Sequence, residues 1–264
     1  MYSKMELTHI SLFTGIGGID LAAEWAGFKT ILMVENNAYC QKVLNKHWPN
    51  VPLRGDIRDV KGSELTATII TGGFPCQPVS QAGQRKGEED DRWLWPDMLR
   101  VISEVWPPWV VAENVTGLLS LGFYDCLSDL EGQGYETVTF VIPACAVNAP
   151  HRRDRIFIVA NTSVERLEGA KPERATQACG CSPQHSNVFN SEGERRESGG
   201  CEFNQADGWC WWATEPDVGR VAYGIPSRVD RLKALGNAVV PQQIYPILKA
   251  IADIELRLAK EVNC

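Results

Sequence analysis

Cys76 lies in the run Thr71-Gly72-Gly73-Phe74-Pro75-Cys76-Gln77-Pro78-Val79-Ser80. A thiol at the carboxyl end of a buried strand, in a loop shaped by glycine and proline, is a candidate nucleophile if its thiolate is exposed and stabilised. A bare cysteine is more often an inert filler, so the flanking Pro-Cys-Gln-Pro carries the weight. Glu113, in Glu113-Asn114-Val115, closes a second apolar run. A partly buried glutamate has a raised pKa and can hold or donate a proton near neutrality. His151-Arg152-Arg153-Asp154-Arg155 precedes a third run. Period-two alternation would put Arg153 and Arg155 on one strand face, facing a base carbonyl, a phosphate or the catalytic acid. A solvated basic strand end is the bland alternative.

A second group of residues suits a ligand. Ser11-Leu12-Phe13-Thr14-Gly15-Ile16-Gly17-Gly18-Ile19-Asp20 follows an apolar run and opens a helical one. Glycines there let backbone approach a ligand, and a helix N-terminus favours electronegative groups. A structural turn or a nicotinamide-type loop would account for it as well, although the spacing is not that of the dinucleotide fingerprint. Glu35 closes the next strand, where an acid suits the two hydroxyls of a ribose or is simply a solvated strand-end acid. Asp56, in Gly55-Asp56-Ile57, could accept from an adenine amino group or be an ordinary turn residue. Leu235-Gly236-Asn237-Ala238-Val239-Val240-Pro241 could fold back against the first glycine loop, or simply start a helix.

The elements that must position these residues are legible as apolar runs alternating with helical periodicity, the mark of an α/β fold with a mostly parallel sheet. Strands are expected at His9–Phe13, Thr30–Glu35, Thr68–Gly72, Trp109–Glu113, Glu136–Ile142 and Arg155–Ala160. Helices are expected at Gly18–Ala26, Ala38–Lys46, Trp95–Val105 and Phe123–Gly132. Only a loop separates the last two strands, which predicts an antiparallel edge pair. From Asn161 to about Pro216 the composition turns to Gly, Ser, Glu, Asn and Gln, an irregular insertion, partly disordered or held by a few aromatics such as Trp209, Trp211 and Trp212. Helical spacing resumes after Ser227 and closes the chain with an amphipathic helix over Gln242–Lys260.

At 264 residues and 44% hydrophobic, the chain can bury one full core with a small appendage. It contains no membrane-length apolar stretch and no signal peptide pattern, which predicts a cytoplasmic protein with free thiols. The net charge of −7 looks wrong for a nucleic-acid binder. The deficit lies elsewhere, however: His151 to Lys233 holds 12 basic and 12 acidic residues, and local patches govern phosphate contacts.

Taken in order and at strand ends, these motifs resemble the cytosine-C5 DNA methyltransferase family, over about residues 8 to 160 and 228 to 250. The resemblance implies a Rossmann-like fold dependent on S-adenosylmethionine (SAM), with helices on both sheet faces. Residues 1–160 and 228–264 would form the catalytic domain and 161–227 a short target-recognition region. It implies that Phe13, Gly15, Ile16, Gly17 and Gly18 hold SAM, with Glu35 and Asn36 at the ribose. Asp56 and Ile57 would take the adenine edge, and Pro75, Asn237 and Ala238 the rest of the cofactor. Cys76 would attack C6 of a flipped-out cytosine while Glu113 stabilises protonation at N3. Arg153 and Arg155 would complete the catalytic set. The polar stretch from Ser80 to Arg92 has the composition of a mobile lid, and Ser80, Arg85, Arg92 and Asn114 are the implied DNA contacts. The implied partner is double-stranded DNA, met by a monomer. A restriction–modification enzyme with its endonuclease, an orphan and a phage-encoded enzyme would look alike.

Three features depart from the family pattern. His151 stands where glutamine is usual, the Arg-x-Leu-Thr-Pro-Arg-Glu run is replaced by Gly224-Ile225-Pro226-Ser227-Arg228-Val229-Asp230-Arg231, and the recognition region is short. An alternative within the same chemistry is methylation of tRNA. A nicotinamide-dependent oxidoreductase would explain the glycine loop and Glu35 but neither Pro-Cys-Gln nor Glu-Asn-Val, and a silent DNA-binding relative would not need Cys76 and Glu113. Cys179, Cys181, His185, Cys201 and Cys210 lack the spacing of structural zinc sites, so no metal is expected.

Overall fold

The computed structural model describes residues 6–75, 93–120, 122–162 and 227–261. Seven strands form one sheet: β1 (Thr8–Leu12), β2 (Lys29–Val34), β3 (Leu53–Arg54), β4 (Ile69–Gly72), β5 (Trp109–Val115), β6 (Tyr135–Ile142) and β7 (Arg155–Thr162). The helices are α1 (Gly18–Ala26), α2 (Ala38–His47), α3 (Trp95–Val105), α4 (Phe123–Gly132), α5 (Arg228–Asn237) and α6 (Pro241–Glu261).

The strand order is β3-β2-β1-β4-β5-β7-β6, and β7 alone runs against the others. The expected antiparallel pairing of β6 with β7 is present, but β7 is inserted between β5 and β6 and is not itself an edge. It also runs two residues past Ala160, because the Thr162 N–H donates to the Pro108 carbonyl at 3.0 Å. Chain order reverses between β1 and β4, which opens a crevice at the carboxyl ends of those strands.

Alternating side chains bury the two sheet faces separately. Ile10, Leu12, Ile70, Val110, Ala112, Ile156 and Ile158 meet Met98, Val101 and Ile102 of α3 and Leu130 of α4. On the other face Ile69, Val111, Phe157 and Val159 meet Ile19, Ala22 and Ala23 of α1 and Ile244, Leu248 and Ile251 of α6. The Trp109 indole N–H donates to the Glu255 carboxylate at 2.8 Å and ties α6 to the start of β5. Among the described residues, no helix is long and apolar enough to cross a membrane.

The second face also buries polar groups. His9 lies between Thr30 Oγ1 (2.9 Å, Nδ1) and Thr71 Oγ1 (2.8 Å, Nε2), and burial pushes its pKa down to about 3. The Ser11 hydroxyl donates to Asp20 at 3.0 Å, and burial lifts the Asp20 carboxyl to about 7.

Candidate active site

β4 delivers the chain to Gly73, Phe74 and Pro75 at the carboxyl edge of the sheet. Phe74 is buried and packs edge-on against Trp93 (ring centroids 5.6 Å apart) and obliquely against Trp95 (5.1 Å). Its carbonyl accepts the Asn114 amide at 3.0 Å, and Asn114 Oδ1 accepts the Val115 N–H at 2.9 Å. Asn114, expected at DNA, is therefore buried and spends its side chain on backbone. Pro75 is exposed. Cys76, Ser80, Arg85 and Arg92 lie outside the described residues, as do Trp209, Trp211, Trp212 and the Cys179–Cys210 group. Among the described residues, no three metal-ligating side chains cluster.

Glu113 is the electrostatic centre. β5 carries it to the sheet edge beside Gly73, where a Cβ would come within 2.8 Å of Glu113 Oε2. Its Oε1 pairs with Arg155 Nε at 2.8 Å. Burial raises the Glu113 carboxyl to about 7 even though the Arg155 and Arg153 guanidiniums pull it down. Near neutrality it is thus a buried proton-holding group beside Gly73.

Arg153 and Arg155 do not share a strand face. β7 begins at Arg155, and Arg153 precedes it with a left-handed backbone, φ 38°. Period-two alternation therefore does not apply between them. The Arg153 guanidinium goes to the C-terminal turn instead, donating to the carbonyls of Gly236 (2.8 Å) and Ala238.

The glycine loop joins β1 to α1. Phe13 (φ 54°), Gly15 (φ 60°) and Gly17 (φ 85°) all have left-handed backbone, which only glycine adopts without strain. Glu35 follows β2 directly, and its two oxygens accept the Gly15 N–H and the Asn37 N–H, each at 2.7 Å. Asn37 caps α2, its side chain accepting from Tyr39 and Cys40. Gly18 meets the C-terminal segment, since a Cβ there would lie 2.6 Å from the Val239 carbonyl oxygen. The foldback of the Leu235–Pro241 segment is thus present, with Asn237 and Ala238 next to that contact. Asp56 starts a 3-10 turn, Ile57–Asp59, and accepts the Arg58 N–H at 2.9 Å and its guanidinium at 3.1 Å. Those bonds hold the Asp56 carboxyl below the usual range.

These residues fit an adenosyl cofactor. No atom would meet a Cβ on Gly15 within 4 Å, so the loop faces open space there. Glu35 holds the glycine loop and Asp56 starts the turn after β3, and each carboxylate carries further acceptor lone pairs for hydroxyl and amino donors. Sequence reasoning missed Trp93, just before α3, and Trp95 and Arg100 within it, which hold the loops; their partners lie about 20 to 40 residues away in the chain.

The order 3-2-1-4-5-7-6, with acids and a glycine turn at the switch point, defines an α/β protein of the Rossmann-like methyltransferase type. The profile described as C-5 cytosine-specific DNA methylase matches residues 7–197. The chain belongs to that family, whose methyl donor is S-adenosylmethionine. It is 32% identical over 191 residues to the type II methyltransferase M.AquIA of Picosynechococcus sp., covering 64% of this chain and 77% of that one. It is 38% identical over 159 residues to the type II methyltransferase M.PspPI of Psychrobacter sp., covering 57% of this chain but only 38% of the relative. The S. pombe Dnmt2 methyltransferase crystal structure superposes with a TM-score of 0.52 at 20% identity, over 65% of this chain and 57% of that one, a likeness of fold.

Proposed function

We propose that this chain methylates C5 of cytosine in double-stranded DNA, with Cys76 as nucleophile and Glu113 as the group that holds a proton at N3. The observation that carries the reading is the Glu113 carboxyl: buried, raised to about 7, paired with Arg155 and packed under Gly73, three residues before Cys76. Cytosine C5 is a poor nucleophile until addition at C6 breaks the ring's aromaticity, and the Cys76 thiolate forms that bond. Glu113, protonated near neutrality, stabilises N3 as electron density moves into the ring. C6 is stacked inside a duplex, so the base must leave the helix first, at about a few kcal/mol.

When bound, SAM supplies a methyl group on a cationic sulfur. Glu35 and Asn36 would take its ribose and Asp56 with Ile57 its adenine. Phe13, Gly15, Ile16, Gly17, Gly18 and Pro75 would line the rest, closed from the C-terminal side by Asn237 and Ala238. Arg155 sets the charge of Glu113, and Arg153 locks the C-terminal turn onto the sheet. Residues 1–160 and 228–264 form the catalytic domain in this reading. Residues 161–227, with Ser80, Arg85 and Arg92, are assigned to DNA recognition. The acting species in this reading is a monomer, and the type II naming of its relatives supports a restriction endonuclease as its functional counterpart. The tRNA alternative has in its favour only a likeness of fold to Dnmt2.

The test is transfer of labelled methyl from SAM to duplex DNA and, in parallel, to tRNA. Label in duplex DNA at 5-methylcytosine is expected; label in tRNA alone overturns the reading. Cys76→Ser should abolish covalent trapping on 5-fluorocytosine DNA while SAM still binds, and trapping that persists would refute the nucleophile.

A further inference from the structure

We propose that Arg100 and Glu104 of α3 are positioning residues for the cofactor's adenine, acting through the turn that carries Asp56 and Ile57. The inference rests on the reading of that turn as the adenine-edge contact. Arg100 Nη2 donates to the Ile57 carbonyl at 2.8 Å, and Nη1 donates to the Val60 carbonyl at 2.9 Å. The same Nη1 meets Glu104 Oε1 at 2.9 Å, and Glu104 Oε2 accepts the Gly62 N–H at 2.6 Å. One i,i+4 pair on a rigid helix thus grips three backbone groups across residues 57 to 62.

The turn needs this grip. Its preceding strand, β3, pairs with β2 at only two positions, Leu53 and Arg54. Among the described residues, the Asp56 carboxylate bonds only within its own turn, to Arg58, so these bonds do not fix where the turn lies. Apolar burial of Ile57 and Val60 holds the segment to the core but leaves sliding possible, because hydrophobic contact is non-directional. The guanidinium fork is directional and reaches two carbonyls at once, which a lysine cannot do. Gly62 is pressed against the same helix, with a Cβ there coming within 2.7 Å of Glu104 Cβ and 3.0 Å of Val105 Cγ2. α3 also carries Trp95 against Phe74, so one helix sets both the adenine turn and the loop that leads to Cys76.

A merely structural tie would change stability without changing which purine is preferred; a positioning tie changes the preference. The experiment measures dissociation constants for S-adenosylhomocysteine and for its inosine counterpart, whose amino group is replaced by a carbonyl. Wild type, Arg100→Met, Arg100→Lys and Glu104→Gln are compared as full chains, with thermal melts alongside. Wild type should prefer the adenine form. Arg100→Met should bind it about tenfold more weakly, the scale of one charge-assisted hydrogen bond, while its affinity for the inosine form stays nearly constant. Arg100→Lys should recover part of the preference.

An unchanged preference in folded Arg100→Met overturns the proposal. Should that variant not fold, Arg100→Lys decides: its ammonium cannot hold both carbonyls, and a preference equal to wild type overturns the proposal. Failure of wild type to bind S-adenosylhomocysteine at all would instead sink the methyltransferase reading.

Discussion

Glu113 and Arg155 meet Oε1 to Nε at 2.8 Å with side chains only 8% and 11% exposed, while the other Glu113 oxygen lies beneath Gly73. Burial raises the carboxyl to about 7 and Arg155 opposes that rise, so the pair sets the pH at which the proton is lost. Activity that needs protonated Glu113 should fall as pH rises through about 7. Arg155→Gln removes the opposing charge and should move that fall to higher pH, with a maximal rate lowered by about tenfold or more. The pH profile of kcat/KM checks both. Stability carries the same sign. The folded carboxyl lies above its ordinary 4.5, so the native state holds the proton longer than the unfolded chain. Stability should decline between about 4.5 and 7, and Glu113→Gln should flatten that decline in denaturant melts.

Gly18→Ala should weaken both fold and cofactor binding. Its Cβ would lie 2.6 Å from the Val239 carbonyl oxygen, and backbone cannot swing aside as a side-chain tip can. The C-terminal segment must then move away from the glycine loop. We expect a loss of about 1–3 kcal/mol in stability, typical of overpacking. SAM affinity should fall with it, read by calorimetry. Gly132→Ala, at the end of α4 where a Cβ meets nothing beyond the helix's own backbone, serves as the control: SAM affinity should be unchanged and stability should not fall.

Much of this was legible in the chain itself. Helices α1, α3 and α4 begin and end where the sequence predicts, because apolar spacing and flanking residues such as Gly17, Gly27 and Gly122 agree on the bounds. The buried strands read as apolar runs. β3 was illegible, since two residues carry no period. The shared face of Arg153 and Arg155 failed for a local reason: alternation holds only inside a strand, and Arg153 precedes β7. What no period can reveal is a long-range polar tie. Arg100 reaches 40 and 43 residues back, and Asn114 reaches 40 residues back to Phe74. Such contacts exist only once the sheet has brought strand ends together.

Glu35→Gln should be more damaging than its size suggests. Both carboxylate oxygens accept backbone N–H groups at 2.7 Å, one from Gly15 and one from Asn37. A glutamine amide has one acceptor oxygen, so its nitrogen would face a backbone donor. One N–H is then left without its partner, at about 1–3 kcal/mol. The same change would distort the glycine loop at Gly15, and SAM affinity should drop by about tenfold or more. Glu35→Asp keeps the charge but is too short to span both donors, and should fall between wild type and Glu35→Gln.

Asn114→Ala separates holding the loop from holding the cofactor. Asn114 is buried, and its amide donates to the Phe74 carbonyl two residues before Cys76. Removing the amide leaves that carbonyl without its side-chain donor and frees the Gly73–Pro75 loop to shift, whereas the glycine loop and Glu35 are untouched. We expect kcat and covalent trapping on 5-fluorocytosine DNA to fall by about ten- to a hundredfold, since misplacement by about 1 Å costs this much. SAM affinity should stay within about twofold of wild type. Asn114→Asp should behave like Ala, because an ionised carboxylate cannot donate to a carbonyl and adds charge beside Glu113. Were Asn114 instead a direct DNA contact, the variants would raise KM for DNA while kcat and single-turnover chemistry at saturating DNA stayed normal. The split between those two parameters decides the role.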